Sequence, residues 1–250
     1  MEPSADSADA SPWVAGADGF RDGWVVVLCE STTDTVRCRT VDGVDALLSL
    51  PEAPAVLGID MVIGLPDTAQ SGGRACDRAA RRLLGHPRGT SVFSPPAYDA
   101  LWADTYDEAQ RRNRAANPDA PGLSKQTYHL VPKMRALAEP MTPERQERVH
   151  EVHPELSFFA MNGGTPVADS KHTDAGQRAR RGLLTEHGFS EVDAAVSSLA
   201  GSALGADDII DAHAACWTAR RIDEGTAERC PPGSETAPTN ARGLRMEIWR

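Results

Sequence analysis

The sequence predicts an α/β fold built on a mixed five-stranded sheet flanked by helices, and three features predict it. Residues 13–60 run through apolar stretches and turns in the order β-β-β-α-β. Two of those stretches end in an aspartate, at Asp18 and Asp60. Beyond Ser71 helical spacing dominates, with one further strand-like run before a long closing helix.

Trp13–Asp18 and Trp24–Glu30 read as strands joined by the turn Gly19–Gly23. The run WVVVLCE is apolar and β-branched, as a strand buried on both faces requires. Thr35–Val41 alternates and extends the pair into an antiparallel meander. Val44–Leu50 forms a short helix closed by Pro51, and Ala55–Asp60 is an apolar run of the kind that delivers a residue to a site as a parallel strand. Ser71–Leu84 turns helical, Gly85–Pro96 is a loop, and Tyr98–Ala116 and Ser124–Ala138 are helical around the loop NPDAPG. Val149–Val152 is the fifth strand, and Pro154 opens a helix at its first turn, where proline is tolerated. A polar loop, Gly163–Asp174, precedes helices over Ala175–His187 and Val192–Ala200 and the strongest helix, Asp207–Asp223. Glu224–Asn240 is a loop and LRMEIW a final strand. The order β-β-β-α-β-α-β-α is that of the ribonuclease-H-like fold, here one domain over residues 13–250 with a helical insertion at about 67–148.

The chain has 250 residues, 40% of them hydrophobic and 25% charged, a balance that supports a full core. No stretch approaches the roughly 18 apolar residues of a membrane span, so no membrane partner is expected. Residues 1–12 are acidic and polar and read as a disordered leader, without the basic start and apolar centre of a secretory signal. The five cysteines form no C-x-x-C pair, which argues against a disulfide framework or a zinc knuckle and fits a reducing, cytoplasmic compartment. A net charge of −10 excludes bulk electrostatic binding of nucleic acid, so any such partner must meet a local basic patch. Arg74, Arg78, Arg81, Arg82 and Arg88, with Lys125, Lys133 and Lys171, could form one; a solvated helix face explains the arginines equally well. The sequence sets no oligomeric state and leaves a homodimer open.

Four acids stand out by position. Asp18 closes the first strand in GADGFRDGW, Asp60 closes the fourth in GIDMVIGLP, and Asp208 and Asp211 share one face of the last helix. Strand interiors disfavour aspartate, so acids at two strand ends facing a helix that carries a third suit an oxygen-only site for Mg²⁺ or Mn²⁺. Each has a simpler reading: Asp18 and Asp60 as turn formers, Asp207 or Asp208 as the helix N-cap. Glu151, His153 and Glu155 in VHEVHPELSF are candidates for supporting roles around the metal.

The motifs GADGFRDGW, GIDMVIGLP, RACDRAARRLLG, SVFSPP, the Ser124–Gln126 SKQ, EVHPELSF, the Ser170–Lys171 pair and DDIIDAHAACWTARR occur in an order that resembles the predicted nucleases of ribonuclease-H-like fold catalogued as domain of unknown function 429. The resemblance runs from Trp13 to Trp249, with Phe20 and Asp22 standing where that family more often has Cys and Gly. The chain is also similar to the Holliday-junction resolvases, whose D-x-x-D at the final helix Asp208–Asp211 matches. This resemblance implies a nuclease acting on DNA or RNA by two-metal hydrolysis. Asp18 would bridge two ions, with Asp60 on one and Asp208 or Asp211 on the other, and Arg74, Arg78, Arg82, Lys125, Lys133 and Lys171 would neutralise phosphates. Two alternatives keep the fold: a phosphohydrolase or phosphotransferase on a small nucleotide-like substrate, and a non-catalytic interaction module. The scarcity of aromatic residues, 5%, favours the first of these, because single-strand binders stack bases on aromatic side chains.

Overall fold

The computed structural model describes residues 12–233 and 237–250, so the expected leader lies, apart from Pro12, outside them. Five strands form the main sheet: β1 (Trp13–Phe20), β2 (Gly23–Glu30), β3 (Thr35–Val41), β4 (Val56–Ile59) and β5 (Val149–Glu151), in the order β3-β2-β1-β4-β5. The first three are antiparallel neighbours, and β1, β4 and β5 run parallel. β1 continues two residues past Asp18, so the β1–β2 turn is only Arg21–Asp22.

Alternation along these strands builds two cores. On one face Ala15, Ala17, Trp24, Val26, Leu28, Leu57 and Ile59 pack against Leu47 of α1 (Gly43–Leu48) and Val131, Met134 and Leu137 of α4 (Lys125–Ala138). On the other, Val14, Val25, Val27, Cys29 and Val56 meet Phe158 of α5 (Pro154–Met161) and Ile209, Ala212 and Cys216 of α8 (Ala206–Asp223). Every residue of α8 from Ile209 to Ala219 is buried, as expected of a helix enclosed on all sides. The sheet lies beneath it, and α6 (Asp174–Glu186) and α7 (Val192–Leu199) pack on its other flanks.

Glycine sets how closely α8 approaches. A Cβ on Gly16 would lie 1.9 Å from Cys216 N and 2.5 Å from Ala212 O, and one on Gly58 would lie 2.9 Å from Ala215 O. Helix backbone rests directly on strand backbone at both positions.

Between β4 and β5 lie α2 (Ala75–Leu84), a 3₁₀ turn at Tyr98–Trp102, α3 (Tyr106–Arg114) and α4. The single helix expected over 98–116 is thus two pieces. Thr105 caps α3 by accepting the Glu108 N–H, which fixes a new start after the 3₁₀ turn. The expected C-terminal loop and strand become a two-stranded ribbon, β6 (Arg229–Cys230) with β7 (Ile248–Trp249), docked on the end of β5 through a Val152–Trp249 bridge. Among the described residues no helix is long and apolar enough to cross a membrane.

Candidate metal centre

Asp18 and Asp60 each follow the last residue of the parallel β1–β4 pairing, Ala17 opposite Ile59. They share the parity of Gly16 and Gly58, so both face α8. The Asp60 N–H extends the ladder by donating to Ala17 O at 2.9 Å. Asp211 lies on α8 immediately before Ala212, which meets Gly16, and the close backbone contact carries it over the same strand ends. One carboxylate oxygen from each of Asp18, Asp60 and Asp211 lies within 4.8 Å of the other two. Asp18 and Asp211 are buried, 8% and 3% exposed, while Asp60 is half-buried.

Burial dominates the electrostatics of this cluster. It raises Asp18 well above the usual carboxylate range, and the nearby Asp60 and Asp211 raise it further. Burial likewise pushes Asp60 up to about 6, against the pull of His153 and Lys171. Asp211 is raised by burial and partly restored by Lys171, whose Nζ donates to its Oδ2 at 2.6 Å. That ammonium also stands 3.9 Å from Asp207, and Asp211, with Asp60 and Asp18, raises its pKa despite burial. Crowded carboxylates that bind protons this tightly are poised to exchange them for a cation.

Asp208, expected as a catalytic acid and as the alternative to Asp211 on an ion, stands apart from the three. Its Oδ2 accepts the Gly205 N–H at 2.9 Å, and that first-turn position commits it to capping α8.

The acids of β5 and α5 border the same cavity, about 350 Å³ in volume, but play different parts. Glu151 accepts the Ile63 N–H at 2.9 Å and the guanidinium of Arg74 at both its oxygens, so it anchors the loop after β4. Glu155 takes Arg180 on Oε1 at 2.6 Å, whereas its buried Oε2 has no partner. His153 lines the cavity with Nε2 3.4 Å from Ser91 O and Nδ1 unpartnered.

The basic residues require a correction. Arg74, expected to bind phosphate, is 3% exposed and fully engaged by Asp77, Glu151 and Gly64 O. Arg78 donates to Gly73 O, and Lys133 donates to Gly23 O at 2.9 Å while lying over the Trp24 ring. Arg82 and Lys125 are exposed; Lys125 adjoins Gln126, which lines the cavity. Of the arginine run, Arg74 and Arg88 border the cavity, and the Arg88 Nε is unpartnered. The sequence marks neither Arg180 nor Asp77 as part of the site, and Arg180 meets Glu155 only through the fold. The single local cue is Arg74–Asp77 at i,i+3.

Comparison with curated proteins and with solved structures gave no match. A family model does match, over residues 16–236, and its description is "Protein of unknown function (DUF429)". With that span covering most of the 250 residues, the chain belongs to this family.

Proposed function

We propose that this chain is a Mg²⁺- or Mn²⁺-dependent nuclease of ribonuclease-H-like fold that hydrolyses phosphodiester bonds. The convergence of Asp18, Asp60 and Asp211 at the ends of two parallel strands and on the central helix carries the proposal. The sheet order β3-β2-β1-β4-β5, with its antiparallel meander and parallel half, supports the fold assignment. An all-carboxylate donor set suits hard cations, and the orphaned Glu155 Oε2 beside it supplies one more buried acceptor that a cation or its water would satisfy. A cation bound there would polarise the phosphoryl oxygen and lower the pKa of an attacking water.

The chain's own groups have separate tasks. The three aspartates would hold the cation, and Arg88 at the cavity wall is placed to take a phosphate oxygen. Glu151, held by Arg74, fixes the backbone just after Asp60. A small nucleotide-like substrate is the second reading, favoured by the modest cavity and by how many nearby cations are already engaged. The deciding experiment is Mn²⁺-dependent cleavage of single-stranded, duplex and branched DNA and RNA, alongside nucleotide phosphodiesters. Wild type should cleave a polymer and Asp18→Asn should not. Turnover of nucleotides alone would move the substrate to the second reading, and equal activity in both proteins would remove Asp18 from the reaction.

A further inference from the structure

We infer that the Lys171 ammonium holds the place of a second cation, so that this centre takes one divalent ion and not two. The inference rests on the metal-centre reading above and concerns how many ions that centre accepts.

A second ion in such a site needs carboxylate oxygens on the α8 side of the cluster. Those oxygens are engaged by a side chain. Lys171 Nζ lies 2.6 Å from Asp211 Oδ2 and 3.9 Å from Asp207 Oδ2. Asp208, the next acid along, gives Oδ2 to the Gly205 N–H. A divalent ion between Asp211 and Asp207 would have to displace the ammonium, because it would take the same carboxylate oxygens and like charges at that range repel.

The loop that delivers Lys171 is built to stay. Arg180, 1% exposed, donates to Asp169 O at 3.1 Å and to Glu155 at 2.6 Å. Thr173, the N-cap of α6, donates its hydroxyl to Ser170 O at 2.8 Å. Residues on both sides of Lys171 are therefore tied down, Asp169 through Arg180 to an acid of the cavity itself.

Three ionised aspartates, the ammonium and one divalent ion sum to zero, so a single ion with Lys171 in place leaves the three-acid cluster neutral. Lys171 then does at Asp211 part of what a second metal does elsewhere: it sets a fixed positive charge beside the reacting phosphate.

The test is Mn²⁺ stoichiometry by calorimetry, with electron paramagnetic resonance to detect spin coupling between neighbouring ions. Wild type should bind one Mn²⁺ per chain with an uncoupled spectrum. Lys171→Met should bind two, with the coupled spectrum of ions a few ångströms apart, and Lys171→Arg should return to one. Two coupled ions in wild type would overturn the inference while leaving the metal centre standing. A single ion in Lys171→Met would overturn it too, since nothing would then be displaced. No Mn²⁺ in any of the three proteins would remove the metal centre, and this inference with it.

Discussion

Replacing Asp60 by Asn should stabilise the metal-free protein near neutral pH and leave it unchanged near pH 4. Burial, with Asp211 adding repulsion, raises the Asp60 carboxyl from 3.8 to about 6. A carboxyl whose folded pKa lies above its unfolded value favours folding fully below the unfolded pKa and loses that contribution as pH rises through the folded one. At about 1.4 kcal/mol per unit, the two-unit shift amounts to at most about 3 kcal/mol, withdrawn between about pH 4 and pH 6. The amide carries no charge and escapes the loss. For a chain of this size 1 kcal/mol moves the midpoint by roughly 2–4 °C, so in EDTA at about pH 7.5 Asp60→Asn should melt up to about 6–12 °C above wild type. Relief of Asp18, which Asp60 also repels, acts in the same direction. With Mn²⁺ the gap should largely close. Saturation to a hundredfold over the dissociation constant gives wild type about 2.7 kcal/mol, most of which the variant forgoes. Paired melting curves at both pH values, with EDTA and with Mn²⁺, measure all of this. A variant that melts lower than wild type in EDTA at neutral pH, or a gap that ignores pH, would refute the electrostatic account.

Two further predictions address the frame. Arg74→Met should cost roughly 3–5 kcal/mol in urea denaturation, because it leaves Asp77 and Glu151 buried without their cation; adding Glu151→Leu should recover part of that loss. Gly16→Ala should cost roughly 4 kcal/mol or more, since its methyl would sit 1.9 Å from Cys216 N, and chemical denaturation of the purified variant reads it directly.

The strands and the acids at their ends were legible because both obey local rules. WVVVLCE has no alternative to a buried strand, and an aspartate ending an apolar run is conspicuous. Asp211 was legible from its place inside the helix, past the first turn where an acid would act as a cap. Asp208 has the same composition and nearly the same position, yet its first-turn location makes it a cap, and only the path of the chain at Gly205 decides between those roles. The arginines of α2 were harder still. Arg74 looks like its solvated neighbours, and its main partner Glu151 lies 77 residues away, so no spacing pattern reports the pair. Lys171 shows the same limit. Its charge suggested phosphate, while the fold of the 163–173 loop turns it onto Asp211. The 98–116 segment failed for a local reason that could have been used: Thr105 followed three residues later by Glu108 is a helix-start signature.

The bare contact between α8 and the strands at Gly16 and Gly58 makes the spacing of the acids a main-chain quantity. Where side chains separate a helix from a sheet, drift in core volume shifts the helix and every group it carries. Here the separation is set by van der Waals radii of backbone atoms, so Val-to-Ile or Leu-to-Met exchanges elsewhere in the core have no lever on Asp211. The segment at residues 85–96, between α2 and the 3₁₀ turn, contributes cavity wall through Arg88, Ser91 and Phe93 and carries none of the three aspartates. Substitutions, insertions or grafts in that segment can therefore reshape what enters the cavity while the three acids keep their mutual distances. Engineering of this chain toward other substrates should begin there.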